Sequence, residues 1–346
     1  MELVETGWKM LKAMPPMASW KILHNIPYPL LDVLATINFN MRPRAPLLET
    51  EFLGYRLSNP IGIAAGLDKD GSLVRILQLT GAGFHVVGSV LPHRFEGVEP
   101  KLLLRLPSGT LNRLGLPSPG PLPVIKRLIR ANRYVRTPVV VSIASLTLKG
   151  FGDVYRLVKH IASWVELNIS CPNIESHGSF EDPEYVTSIC NYMKPLDKPV
   201  LLKIPRTVES RMIKRYIDAA LDCGFKGIVA ANTLKVKLGS YNAGYGGSWL
   251  FKSTIHMVRL IHRYAPDEFK IVASGGIDSG LKAYKVLKEG ADLVEVLSVL
   301  VNRGPRALVD IIGELYKITS KRGPPRREYS LHHIGSRGLI HKTQLI

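Results

Sequence analysis

The sequence predicts an α/β chain folded as a closed (β/α)8 TIM barrel with an N-terminal helical extension. Three observations carry that prediction. Eight short apolar runs recur along the chain, each nearly continuous, as suits parallel strands buried on both faces. Amphipathic helical stretches separate them, the alternation of a β/α fold. A length of 346 residues suits one such barrel, although length alone would also allow two domains. An open doubly wound sheet is the alternative, and the strand count favours closure.

The predicted strands are 61–66 (IGIAAG), 85–90 (HVVGSV), 138–144 (PVVVSIA), 164–170 (WVELNIS), 200–205 (VLLKIP), 227–232 (GIVAAN), 270–276 (KIVASGG) and 293–298 (LVEVLS). Helical patterns include 70–80, 120–133, 152–162, 208–223, 279–289 and 305–318. An insertion at 91–116, containing KLLLRLPSGTLNRLG, reads as an excursion over the barrel mouth. The expected organisation is an extension at 1–45, a barrel at 46–319 and a basic tail at 320–346. The extension carries two short apolar helices, interrupted by Pro15-Pro16 and again near Pro27 and Pro29. Met10, Leu11, Met14, Met17, Trp20, Leu23, Leu30, Leu31 and Leu34 give it an apolar face. That face reads either as a lid on the barrel or as a hydrophobic vestibule on a membrane surface. The tail holds Lys321, Arg322, Arg326 and Arg327 around Gly323-Pro324-Pro325, so it reads as extended.

With 46% hydrophobic and 21% charged residues, the composition is that of a soluble globular protein. No apolar run approaches the ~20 residues that span a bilayer, and no secretory leader pattern opens the chain. Three scattered cysteines, Cys171, Cys190 and Cys223, exclude a disulfide framework and a zinc site and fit a reducing, cytoplasmic setting. A net charge of +18 favours anionic partners such as small acids, phosphates, anionic lipid or nucleic acid; the plainer reading is a generally basic surface.

In a β/α barrel the reactive residues collect at the C-terminal ends of the strands. Here those ends present Ala64-Ala65-Gly66 with Lys69, Gly88-Ser89, Ser142, Asn168 through Asn173, Lys203, Asn232-Thr233, Gly275-Gly276 and Leu297-Ser298. They contain no metal-ligand cluster and no Ser-His-Asp arrangement. Gly275-Gly276, with Gly246-Gly247 and small residues after the eighth strand, suit a phosphate, because backbone N–H groups can approach an anion where no Cβ intervenes. They would equally serve as tight turns. Asn112, Asn168, Asn173 and Asn232 offer paired donors and acceptors, which suit a planar heterocycle such as a pyrimidine. Cys171 lies at a strand exit, where Lys69 or Lys203 would lower its pKa; the plainer reading is an inert buried thiol. Cys190 and Cys223, in helical stretches, keep that plainer reading.

These motifs resemble the dihydroorotate dehydrogenases, flavin mononucleotide (FMN) enzymes of pyrimidine synthesis, over roughly residues 45–318. NPIGIAAGLDKDG (Asn59 to Gly71) resembles the signature of the membrane-associated, quinone-using class; GSVLP, RLPSGTLNRLG, NISCPN, LLKIP, ANT, SGGI and GADLVEV follow in family order. The resemblance implies that Ala65, Gly66, Ser89, Asn112, Ser142, Asn168, Lys203, Gly247, Gly275, Gly276 and Ser298 hold FMN. It implies that Lys69, Asn112, Leu114, Leu116, Asn168, Asn173, Asn232 and Thr233 hold dihydroorotate or orotate. Cys171 would remove the C5 proton, and Arg105 would line the quinone tunnel. The sequence departs from the quinone class at Cys171, where that class has Ser, and at Leu297, where it usually has Tyr. Ser142-Ile143-Ala144 and Asn112-Arg113-Leu114-Gly115-Leu116-Pro117 are similar to the soluble, fumarate-using class.

The resemblance therefore implies oxidation of dihydroorotate with FMN as hydride acceptor and a quinone as final acceptor, at a peripheral membrane surface. Fumarate or a partner electron-transfer subunit is the nearest alternative, and a homo-oligomer is compatible with either. Cysteine, with an ordinary pKa of about 8.5, suits a base better than a serine hydroxyl and implies more activity toward mildly alkaline pH. A tRNA dihydrouridine synthase, also a basic FMN barrel with a cysteine acid, is a second reading. Its helical RNA-binding domain has no room after residue 318, so nucleic acid is not the expected partner. A non-catalytic phosphate-binding barrel is the third.

Overall fold

The computed structural model describes residues 45–132, 135–170 and 182–325. The expected N-terminal helices, Cys171, Asn173 and the tail from Arg326 lie outside these residues.

A hairpin of β1 (Thr50–Phe52) and β2 (Tyr55–Leu57) comes first. It is followed by β3 (Ile61–Asp68), α1 (Val74–Leu77), β4 (Phe84–Val90), β5 (Leu102–Leu106), β6 (Gly109–Arg113), α2 (Pro121–Asn132) and β7 (Val139–Ile143). Next come α3 (Leu148–Val158), β8 (Val165–Asn168), α4 (Pro183–Met193), β9 (Val200–Lys203), α5 (Ser210–Asp222), β10 (Gly227–Ala230), β11 (Leu234–Leu238) and β12 (Tyr241–Gly247). The chain continues through α6 (Phe251–Tyr264), β13 (Lys270–Ser274), α7 (Gly280–Lys288), β14 (Leu293–Val296), α8 (Ser298–Arg303) and α9 (Arg306–Arg322). Strands β3, β4, β7, β8, β9, β10, β13 and β14 pair in parallel in that order and close on themselves. All eight predicted strands are barrel strands, and closure rules out the open sheet.

The interior of the barrel changes character along its axis. Side chains of a strand alternate faces, so i and i+2 share one. Along β8 and the residue before it the inward series runs from Trp164 through Glu166 to Asn168; on β9 Leu201 gives way to Lys203, and on β14 Leu293 gives way to Glu295. The apolar members pack together as one plug with Phe84, Val140, Val229 and Val272. Beneath the plug the β1–β2 hairpin seats Phe52 and Tyr55 against Trp164, with ring centroids at 5.2 and 5.9 Å. The N-terminal end is thus a sealed aromatic core, and polar side chains are confined to the C-terminal end. A separate, larger apolar layer forms where the helices cover the strands' outer faces.

The insertion does lie over that end. Strands β5 and β6 join β11 and β12 in a four-stranded antiparallel sheet, ordered β11-β12-β6-β5. The β11–β12 ribbon is not among the predicted strands, although its LKVKL alternates as an edge ribbon should.

Several predicted boundaries move for local reasons. The 70–80 helix shrinks to α1 and a 3-10 turn, Gln78–Thr80. The Asp68 carboxylate accepts N–H bonds from Gly71 (2.8 Å) and Leu73 (3.2 Å), and the intervening residues become a turn. Helix α3 starts earlier than 152 because Thr147 caps it, accepting from the Gly150 N–H at 3.2 Å. Helix α9 runs on through Lys321 and Arg322 to a left-handed Gly323 (φ 81°). Those two residues therefore close a helix, where cations suit the C-terminal dipole, instead of opening an extended tail.

Candidate active site

Two adjoining clefts, of about 880 and 870 Å³ counting the solvent at their mouths, open at the C-terminal ends of the strands. Ala65, Lys203, Asn232, Thr233 and Leu297 line both. Gly246, Gly247, Gly275, Gly276 and Ser298 line the first. Gly66, Lys69, Ser89, Asn112, Leu114, Leu116 and Asn168 line the second. The predicted phosphate glycines thus line the first of two communicating clefts and Asn112 and Asn168 the second, while Asn232 borders both.

The first half is built of backbone that side chains would block. Gly247, Gly275 and Gly276 have φ of 140°, 108° and 78°. A Cβ on Gly276 would collide with the Phe251 backbone, and one on Gly275 would lie 2.5 Å from Arg206 Nη2. The Ser298 hydroxyl, at the start of α8, shares a hydrogen bond of 2.9 Å with Thr110 Oγ1 from β6. A cradle of glycine backbone, hydroxyl groups and nearby cations is the donor set for a phosphate.

In the second half Lys69 is delivered by the turn that Asp68 organises; His85 Nε2 lies 3.2 Å from Asp68 Oδ2, the oxygen that also accepts the Leu73 N–H. Asp70, one residue on, is held by Arg127 at 2.6 Å. The amides are tied to each other through serines. Asn168 Nδ2 donates to Ser89 Oγ at 2.9 Å, and Ser89 Oγ meets Ser142 Oγ at 2.8 Å. Asn168 Oδ1 accepts from both the backbone N–H and the hydroxyl of Ser170, each at 3.1 Å. Asn232 Nδ2 donates to the Ser170 carbonyl at 2.7 Å and to its hydroxyl at 3.1 Å. Asn168 and Asn232 therefore converge on the residue that immediately precedes Cys171. Asn112 Nδ2 donates to the Gly244 carbonyl at 3.1 Å across the antiparallel sheet.

Below the clefts sits a buried charge cluster. Lys203 Nζ is 3.0 Å from Glu295 Oε2 and 3.7 Å from Glu166 Oε2, with both carboxylates fully enclosed. Burial, and then the charge of Glu295, push the Glu166 carboxyl well above the ordinary range. Burial also opposes the charges on Lys203 and Glu295. Their mutual attraction outweighs it, raising the ammonium and lowering the Glu295 carboxyl.

Two predicted residues stand behind the clefts rather than in them. Ser142 touches the site through Ser89. Arg105 Nε donates to the Val301 carbonyl at 3.0 Å, and Val301 lines the second cleft. Cys190 and Cys223 are buried among the helices, away from both clefts. Among the described residues no cluster of three or more His, Cys, Asp or Glu is placed to hold a metal, and no helix is long and apolar enough to cross a membrane.

Sequence reasoning missed Glu166, Glu295, Thr110 and Arg206, and it placed Ser170 at a strand exit without giving it a role. A signal existed for the first two: each is a charge inside an otherwise apolar strand, with the same parity as a residue at the strand's active end. Nothing in the sequence marks the contacts of the other three, which come from elements remote in the chain.

A closed parallel barrel with a glycine-lined cleft, an amide-lined cleft and a buried lysine between them at its C-terminal end is the arrangement of a β/α-barrel enzyme. The family model for dihydroorotate dehydrogenase matches residues 47–319. Relatives named dihydroorotate dehydrogenase (quinone) include one from Sulfurovum sp., 27% identical over 292 residues (80% of this chain, 82% of that one). Another, from Coxiella burnetii, is 30% identical over 295 residues, covering 78% of this chain and 84% of the relative. A crystal structure of the Eimeria tenella DHODH in complex with ferulenol superposes with a TM-score of 0.76 at 23% identity, covering 86% of this chain and 93% of that one. The chain belongs to the dihydroorotate dehydrogenase family.

Proposed function

We propose that the chain oxidises dihydroorotate to orotate in pyrimidine biosynthesis, with FMN held across the two clefts, its phosphate in the first, and a quinone as the final electron acceptor. The observation that carries this reading is the convergence of Asn168 and Asn232 on Ser170, which fixes the residue before Cys171 beside the cleft that Lys69 lines. The family assignment and the quinone enzymes among the relatives support it.

FMN fits the residues present. Gly247, Gly275, Gly276 and Ser298 would hold its phosphate, while Ala65, Gly66, Ser89, Asn112, Asn168 and Lys203 would face the rest, with Ser142 steadying Ser89. When bound, FMN supplies the hydride acceptor for the C6–H of the substrate. The protein's own work is to bind and to move the proton. Lys69 pairs with the substrate carboxylate. Asn112, Asn173, Asn232 and Thr233 hydrogen-bond the ring, and Leu114 and Leu116 close its apolar edge. Cys171 takes the C5 proton, so that loss of a proton and a hydride leaves the C5=C6 double bond. Lys203 would present a positive charge to the bound flavin, and Glu295 keeps that ammonium charged.

Arg105, held by the Val301 carbonyl, borders the path by which a quinone would approach, and residues 1–45 would guide it from a membrane surface on the cytoplasmic side. Cys171 is the feature that favours a second reading, in which fumarate or a partner subunit takes the electrons.

A purified yellow protein that releases FMN on denaturation, assayed with ubiquinone analogues, fumarate and NAD, decides between them. Quinone reduction is expected; turnover with fumarate alone would sink the first reading. Cys171→Ala should keep FMN yet lose at least about 100-fold in the rate of flavin bleaching by dihydroorotate, the usual scale for a proton-transfer group. Normal bleaching would remove Cys171 from the role of base.

A further inference from the structure

The guanidinium of Arg206 lies under the first cleft in a setting unlike its neighbours'. Nε donates to the Asn232 carbonyl at 3.2 Å. Nη1 donates to Ser253 Oγ at 2.9 Å and Thr254 Oγ1 at 3.0 Å, and Nη2 to the Ser274 carbonyl at 3.1 Å. Every acceptor is neutral. Nη2 packs so close to Gly275 that a Cβ there would stand 2.5 Å from it. Thr254 Oγ1 in turn donates to the Gly275 carbonyl at 2.8 Å.

The other charges around this cleft are balanced. Glu295 is met by Lys203 at 3.0 Å, Asp278 by Lys282 at 2.8 Å, and Arg303 by Asp310 at 3.4 Å. Among the described residues no carboxylate pairs with Arg206. Burial holds its pKa down to about 10, the signature of a charge that lacks compensation. A largely buried cation without a counter-charge is costly unless an anion supplies one. The nearest opening is the glycine cradle at Gly275-Gly276, and a guanidinium is the cation that can hold four neutral acceptors in a planar fork while keeping its charge.

We infer that Arg206 is a positioning residue for the phosphate of the cofactor: it holds Ser274-Gly275 in shape and places behind the cradle a positive charge that no carboxylate among the described residues pairs. It acts through the Gly275 backbone rather than by direct contact. It also bolts the cradle to Asn232, so one side chain couples the two halves of the site. The inference rests on the FMN reading above and adds to it a specificity for the phosphorylated flavin.

The test compares binding of FMN and of riboflavin, which lacks the phosphate, to full-length protein stripped of flavin, followed by quenching of flavin fluorescence. Arg206→Met should weaken FMN at least about 10-fold and riboflavin by less than about 3-fold, so the FMN-to-riboflavin affinity ratio falls. Arg206→Lys, which keeps the charge but not the fork, should restore most of that ratio. A ratio unchanged within twofold in Arg206→Met, or equally low in Arg206→Lys and Arg206→Met, would overturn the inference. Should Arg206→Met fail to fold, Arg206→Gln, a neutral side chain that still donates, takes its place: a lowered ratio supports the inference and an unchanged one overturns it. Wild-type protein that binds neither flavin overturns the cofactor reading itself, an outcome separate from a normal FMN affinity that ignores Arg206.

Discussion

At the scale of single residues, the side chains predicted to touch the substrate are bonded to the backbone and to the serines around them. Asn232 spends its Nδ2 on Ser170, a residue only 2% exposed. Removing that donor leaves a buried carbonyl short of a partner and loosens the residue that leads into Cys171. Asn232→Ala should therefore lower kcat/KM for dihydroorotate by about 100-fold, as expected when a reacting group loses its alignment. Stopped-flow reduction of the bound flavin measures it, and a loss confined to KM would mean that Asn232 binds the ring without aiming the base. The identity of these amides could be read from the chain, because polar residues at strand exits of a barrel have few other duties. Their partners could not, since Ser170 and Asn232 are 62 positions apart.

At the scale of elements, the barrel strands set the electrostatics. Glu166 of β8, Lys203 of β9 and Glu295 of β14 meet because each sits one inward step above the apolar plug. The Glu166 carboxyl is raised, so its contribution has a definite sign. A carboxyl whose folded pKa exceeds its unfolded value, about 4.3, adds stability that is complete below the unfolded pKa and is lost as pH climbs toward the folded one. Wild-type protein should thus lose stability from this group as pH rises above about 4. Glu166→Gln cannot ionise and should escape that loss. Urea midpoints of the two proteins should diverge in the variant's favour between mildly acidic and alkaline pH, and a difference that stays constant with pH would refute the assignment. The strands were legible from their apolar runs, whereas the meeting of three charges from three of them was not, because it depends on closure and stagger.

At the scale of the whole molecule, one end of the barrel provides stability and the other provides the site. Trp164 is fully buried between the β1–β2 hairpin and the barrel plug, against Phe52, Tyr55 and Phe84. Trp164→Ala should cost about 3–5 kcal/mol, the range for emptying a large aromatic from a core. Chemical denaturation with the flavin bound would measure it, while the substrate KM in the folded fraction should be nearly unchanged. A weakened KM would show that the two ends are coupled. The order of residues alone specifies the barrel, its insertion and the catalogue of groups at its mouth, because strand burial and strand-end chemistry are written locally in the chain. Folding in three dimensions settles which of those groups share a cleft, which serine the amides hold, and where Arg206 and the Glu166–Lys203–Glu295 cluster stand. Those facts depend on contacts between residues tens of positions apart, which arise only when the sheet closes and brings its strand ends around one axis.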